Sequence, residues 1–260
     1  MIDSVSIIHI KAVIYNTKQL NMMKIMTKAI ALIILLLISY SCVIGGIIGD
    51  GNIVKKQIEV SESFTSISVQ QGIKVYLTQA DLVNIEAEMD ENILELLEVV
   101  VKNNKLSISF KKNVGKVTRK NIFLSCPTLT AIDVSSGAEV NSVNKFASVD
   151  LNLSASSGSD LDLNVSCQNM KISASSGADV DVKGTCDNLS VSASSGSDIE
   201  ADKLICKTVV AKASSGSDID VFASDSFEAS ASSGADIQCK GKPNNVSINK
   251  SSGGSVKIVK

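Results

Sequence analysis

The sequence predicts an all-β fold, a single-stranded and right-handed β-helix (β-solenoid) with coils of about 19–20 residues. Two observations lead there. The tripeptide Ser-Ser-Gly occurs seven times, ending at Gly137, Gly158, Gly177, Gly196, Gly216, Gly234 and Gly253, at intervals of 21, 19, 19, 20, 18 and 19 residues. That period is too short for a helix pair and suits one solenoid turn. Around each glycine, apolar residues also recur at fixed offsets. Five before it stand Ile132, Leu153, Ile172, Val191, Ala211, Ala229 and Ile248; three after the first six stand Val140, Leu161, Val180, Ile199, Ile219 and Ile237. Steps of two residues mark the inward positions of short strands on either side of a corner.

The elements follow in chain order. Met22 or Met23 makes a better translation start than Met1, so residues 1–21 are expected to lie upstream of the true start. Residues 22–41 read as a secretory signal: Lys24 and Lys28 precede the apolar run 29–38, which is too short to span a bilayer comfortably. The segment is similar to a bacterial lipoprotein signal, which implies lipidation of Cys42 as the first mature residue; an uncleaved membrane anchor is the alternative. Residues 42–54 are glycine-rich and read as a tether. The β-helix domain then spans 55–260.

Within it, Phe64-Thr65-Ser66-Ile67-Ser68-Val69 and Ile73-Lys74-Val75-Tyr76-Leu77 alternate as two strands around a Gln71-Gly72 turn. Residues 91–99 carry a helical period, and Lys105 to Phe110 alternate again after an Asn103-Asn104 turn. The repeats begin near Asn121. Three residues before each repeat glycine the inward residue is Val134, then Ala155, Ala174, Ala193, Ala213 and Ala231, which fits a corner where two walls converge. Lys250 takes that place in the last copy, as an end coil facing solvent requires. The glycine itself is expected at positive φ.

Two columns invite a chemical reading. Two residues after each glycine stand Glu139, Asp160, Asp179, Asp198, Asp218 and Asp236, a carboxylate ladder at about 4.8 Å spacing if the coils stack. It is either an edge that binds a cation or ligand, or a set of carboxylates bonded to their own turns. The calcium nonapeptide GGxGxDxUx is absent from the sequence. Paired serines such as Ser156-Ser157 and Ser175-Ser176 would form hydroxyl ladders, which bind sugars or water or else bridge neighbouring coils.

Cys167, Cys186 and Cys206 fall nine, nine and ten residues after their glycines, with Phe146 and Cys126 read into the same column. A place that takes Cys or Phe is a buried apolar slot. Neither a metal nor a cofactor is expected, since the single histidine, His9, precedes the signal.

Enzyme classes fit poorly. The chain has one arginine, Arg119, and no histidine beyond His9. Its carboxylate pairs recur coil after coil, whereas a catalytic site breaks a repeat once. The formal charge of −2 gives no reason to expect nucleic acid. Tyr76 is the one tyrosine of the mature body, a poor supply of stacking platforms for sugars.

The first half of the body carries Gly51-Asn52-Ile53-Val54, the two strands around Gln71-Gly72, Glu91-Asn92-Ile93-Leu94 and Lys105-Leu106-Ser107-Ile108. On these features the chain resembles the auto-transporter adhesin, head GIN domain family of Bacteroidetes lipoproteins, over about residues 51–260. The resemblance implies a β-helix and an adhesin role, with no catalytic or ligand residues to carry over. The resulting expectation is a lipid-anchored, non-enzymatic adhesin or binding scaffold of the cell envelope, on the outer membrane, with an unidentified protein or glycan partner. A periplasmic structural or signalling-associated lipoprotein is the alternative, and a carbohydrate-active enzyme a remote one.

Overall fold

The computed structural model describes residues 45–259. The upstream stretch, the signal and Cys42 lie outside them. The described body is nearly all β, a solenoid of about seven turns whose strands join in one continuous hydrogen-bonded sheet. Among the described residues no helix is long and apolar enough to cross a membrane.

The repeats stack as their spacing predicts. Strands β12 (Asp160–Ser175), β13 (Asp179–Ser194), β14 (Asp198–Ala213) and β15 (Asp218–Ala231) are parallel neighbours, each one coil long. Their inward residues form continuous columns: Ile172, Val191, Ala211 and Ala229 on one wall and Leu161, Val180, Ile199 and Ile219 on the other are all buried. Beyond β15, β16 (Asp236–Gly241), β17 (Asn245–Lys250) and β18 (Ser255–Val259) make the last coils. There the inward column meets solvent, with Ile248 41% exposed and Lys250 also exposed, as the end-coil reading requires.

Each corner is a two-residue turn with both residues left-handed. The glycines have φ of 64° to 79°, and the serine before each is positive too, at 47° to 58°. Two consecutive left-handed residues are the signature of a type I′ turn. The residue after the glycine is small and buried (Ala138, Ser159, Ala178, Ser197, Ser217, Ala235). Where it is serine, its hydroxyl accepts the N–H of the residue three before, as at Ser159 (3.0 Å), Ser197 (3.1 Å) and Ser217 (3.2 Å). The ladder runs unbroken through the turn, since Gly158 N donates to Ser176 O and Gly177 N to Ser195 O.

The N-terminal half is built differently from the expected order. β2 (Ser66–Val69) and β3 (Lys74–Gln79) form a full coil, whose Gln71-Gly72 corner has the same φ values of 61° and 69° and donates from Gly72 N to Ser136 O at 3.0 Å. This coil lies directly against β8 (Ala131–Ser135) and β9 (Glu139–Ser142). On its other side lie β6 (Lys105–Phe110) and β7 (Lys120–Cys126), also parallel. The strand near Asn121 therefore does not open the Ser-Ser-Gly series; the coil from residue 66 intervenes between them.

Antiparallel strands close this end. β5 (Leu97–Lys102) pairs with β6, while β4 (Asn84–Asp90) pairs with β7 and β1 (Ile53–Gln57) with β4. The helical period over 91–99 yields only one turn, α1 (Glu91–Leu94), before pairing with β6 draws the rest into β5.

Residues 45–54, expected as free tether, are docked from Gly46 onward. Ile47 N donates to Asn113 O, Gly115 N to Ile47 O, and Gly49 N to Lys116 O. The glycines serve close approach: a Cβ on Gly46 would stand 2.3 Å from Gly115 N, and one on Gly49 2.4 Å from an Asp90 carboxylate oxygen. Asp90, fully buried, accepts from Gly51 N (2.8 Å), Thr118 N (2.9 Å) and Arg119 N (3.1 Å), tying this segment to the cap.

Candidate functional site

The six carboxylates of the predicted ladder stand in register. Glu139 pairs with Asp160, Asp160 with Asp179, Asp179 with Asp198, Asp198 with Asp218, and Asp218 with Asp236. Their strands begin immediately after the corner, so the alternation that turns Leu161 or Val180 inward turns the preceding aspartate outward. Lys74 occupies the same place in the coil ahead of Glu139 and pairs with it at 2.7 Å; Ser255 occupies it beyond Asp236.

A second outward column runs two residues on, through Asp162, Asp181, Glu200 and Asp220. Between the two columns toward the C-terminal coils lies an open groove of about 320 Å³, lined by Asp198, Glu200, Asp218, Asp220, Asp236 and Lys257 among others.

Crowding of like charge shows in the acidities. Asp198 is pushed above the usual aspartate value by partial burial first, then by Asp218 and Glu200. Asp160 is raised by burial, Asp179 and Glu139. Asp220 is raised by burial and Asp202. Glu139 is the exception: burial acts upward on it, but the Lys74 ammonium and the Asn141 amide hold it below the usual range. The ladder is a line of charges rather than a cage, and no three His, Cys, Asp or Glu among the described residues converge to hold a metal ion. The turns are closed by backbone and by the hydroxyls of Ser159, Ser197 and Ser217.

The serines face the other side of the corner. Ser154, Ser173 and Ser192 are register partners, as are Ser156, Ser175 and Ser194. Ser192 Oγ lies 3.2 Å from Ser173 Oγ, so part of the hydroxyl capacity is spent bridging coils. All of these but Ser156 line a polar groove of about 390 Å³, which Lys212 enters where the next serine of the first column would stand. The Tyr76 ring stacks on Phe123 at 5.1 Å with the Lys74 ammonium against it, so its faces are not free for a sugar.

The cysteine column needs correction. Cys167, Cys186 and Cys206 are register partners as their spacing predicts. Phe146, however, pairs with Val165, because residues 142–145 add two to that coil and shift the count. Cys126 pairs with Gln79 and sits in another column. Cys167 is also half-exposed. The column is three thiols followed by Ala223: Cys186, Cys206 and Ala223 lie in the apolar core, as a buried slot requires, and Cys167 packs at its edge.

With this geometry in hand, relatives place the chain. The model of the family described as "Putative auto-transporter adhesin, head GIN domain" matches residues 63–243, well over half of the sequence. The chain belongs to this family. Crystal structures of similar proteins share the fold. A "putative adhesin" from Bacteroides fragilis has TM-score 0.78 at 24% identity, covering 82% of this chain and 100% of that one. A "putative adhesin" from Parabacteroides merdae has TM-score 0.66 at 20% identity, covering 83% and 99%. A "putative lipid binding protein" from Parabacteroides distasonis has TM-score 0.66 at 18% identity, covering 83% and 100%. At these identities the likeness is one of fold. No curated protein matches the chain.

Proposed function

We propose that this chain is a lipid-anchored, non-enzymatic β-solenoid of the cell envelope, held to the outer membrane through Cys42 and acting as an adhesin or binding scaffold. The observation that carries the reading is the repetition of the exposed surface. Serine and carboxylate columns flank the corner coil after coil, and neither contains the single irregular cluster that catalysis needs. A regular wall offers an extended polar contact surface, the usual way in which solenoids engage protein or glycan. The family's adhesin name and the adhesin names of its structural neighbours support the same class.

The test is protease shaving of intact cells, with immunodetection of the body and a periplasmic control. Loss of the body with the control intact is expected. Protection until the outer membrane is opened would refute surface adhesion and favour the role of a periplasm-facing lipoprotein.

A further inference from the structure

The cysteine column has no part in the binding surface just described, and it has a chemistry of its own. Cys167, Cys186 and Cys206 continue the inward alternation of their strands, about half a coil beyond the Ser-Ser-Gly corner. Register partners on adjacent parallel strands are about 4.8 Å apart, within the Cα separation a disulfide spans. The Cys186 thiol donates to Asn188 O at 3.2 Å in its own coil and to Gln168 O at 3.6 Å, next to Cys167 in the neighbouring coil. The column ends at Cys206, since Ala223 is the next partner. Exposure is graded along it: Cys167 is half-exposed, while Cys186 and Cys206 are buried.

We propose that Cys167 and Cys186 are a reversible inter-coil disulfide site, formed by exchange with a small-molecule disulfide, with Cys206 as a second thiol that Cys186 can reach. The half-exposed Cys167 thiolate attacks one sulfur of the small disulfide, whose S–S bond breaks and releases one thiolate. Cys186, as thiolate, then attacks the Cys167 sulfur, forming the inter-coil S–S bond and expelling the second small thiolate. The two protons given up by the cysteines end on the two released thiols. The cysteine pair has lost two electrons and the small disulfide has gained them.

Cys167 is the entry point by exposure rather than by acidity, since Cys186 and burial push its thiol above the ordinary range. Coupling to the flanking Cys167 and Cys206 holds Cys186 below the ordinary thiol range, which favours the resolving thiolate. The other two cysteines of the described body are built-in controls. Cys126 and Cys239 stand in other columns and are buried, with burial pushing their thiols up to about 12 and about 11.

The experiment incubates the folded full chain with excess oxidised glutathione, counts free thiols after denaturation, and maps linked tryptic peptides. Lys145, Lys171, Lys183, Lys203 and Lys207 put the three cysteines on separate peptides: 146–171, 184–203 and 204–207. The expected result is the loss of one thiol each from peptides 146–171 and 184–203, a linkage between them, and recovery of both thiols with dithiothreitol. C206S should keep the linkage and C186S should abolish it, each with an unchanged circular dichroism spectrum. Cys167 and Cys186 left unlinked in the folded wild-type chain, or a linkage that omits Cys186, overturns the proposal.

Discussion

The corner glycines allow a prediction in which backbone strain and steric clash separate. At Gly177, φ is +67° and no heavy atom lies within 4 Å of where a Cβ would stand. Substitution there costs only the left-handed conformation, about 1–2 kcal/mol, with β-branched valine at the upper end. For a body of this size, that lowers Tm by roughly 2–8 °C. Gly184 is the contrast. Its φ is +122°, and an added Cβ would sit 2.0 Å from the backbone oxygen of Val165 on the neighbouring coil. No rotamer relieves that contact, so strain and overpacking together cost on the order of 3–5 kcal/mol.

Ser176 supplies a near-neutral control. It already sits at φ 56°, so Ser176→Gly relieves strain while loosening the unfolded chain, leaving stability within about 0.5 kcal/mol. Thermal melts of Gly177→Ala, Gly177→Val, Gly196→Val, Gly184→Ala and Ser176→Gly should rank accordingly. An unchanged Tm for Gly177→Val, or Gly184→Ala no worse than Gly177→Ala, would refute the corner geometry.

Other outcomes follow from the same structure. Because Asp198 has a raised value in the folded state, the folded chain binds its proton more tightly than the unfolded chain does. Its contribution therefore weakens stability as pH rises above the ordinary aspartate value of 3.8. Asp198→Asn should raise Tm at pH 7, and the gain should vanish in melts at or below pH 3.8. Asp90→Ala strands three backbone donors and should cost about 3 kcal/mol or more, seen as a lower denaturant midpoint; a change under about 1 kcal/mol would contradict its role as the cap's anchor. Millimolar calcium should leave Tm unmoved, since the ladder carboxylates do not converge; a clear rise would mean that the line of charges does bind cations. Cys42→Ala should move the protein out of the membrane fraction, and full retention would defeat the lipid-anchor reading.

How much was legible depended on whether a signal was periodic. The Ser-Ser-Gly spacing carried the coil length, the inward columns and the carboxylate ladder, because in a stack of equal coils sequence offset becomes spatial position. The coil at residues 66–79 obeys the same offsets, with Ile67 and Val69 before Gly72 and Val75 after it. Gln70-Gln71 in place of Ser-Ser hid it, although the turn demands only two left-handed residues. The same offset rule places Lys74 at the head of the ladder, which explains the ion pair with Glu139.

The sequence by itself thus determined the solenoid, its corner glycines and which side chains face out together, since a short repeat converts local alternation into long columns. Tertiary structure alone decided the order in which the first coils stack and the antiparallel cap that closes them. It also decided the docking of residues 46–54 and the true membership of the cysteine column. Each of these depends on contacts between segments far apart in the chain, or on a two-residue insertion that changes register. Such differences leave no periodic trace, and pairing across coils is what resolves them.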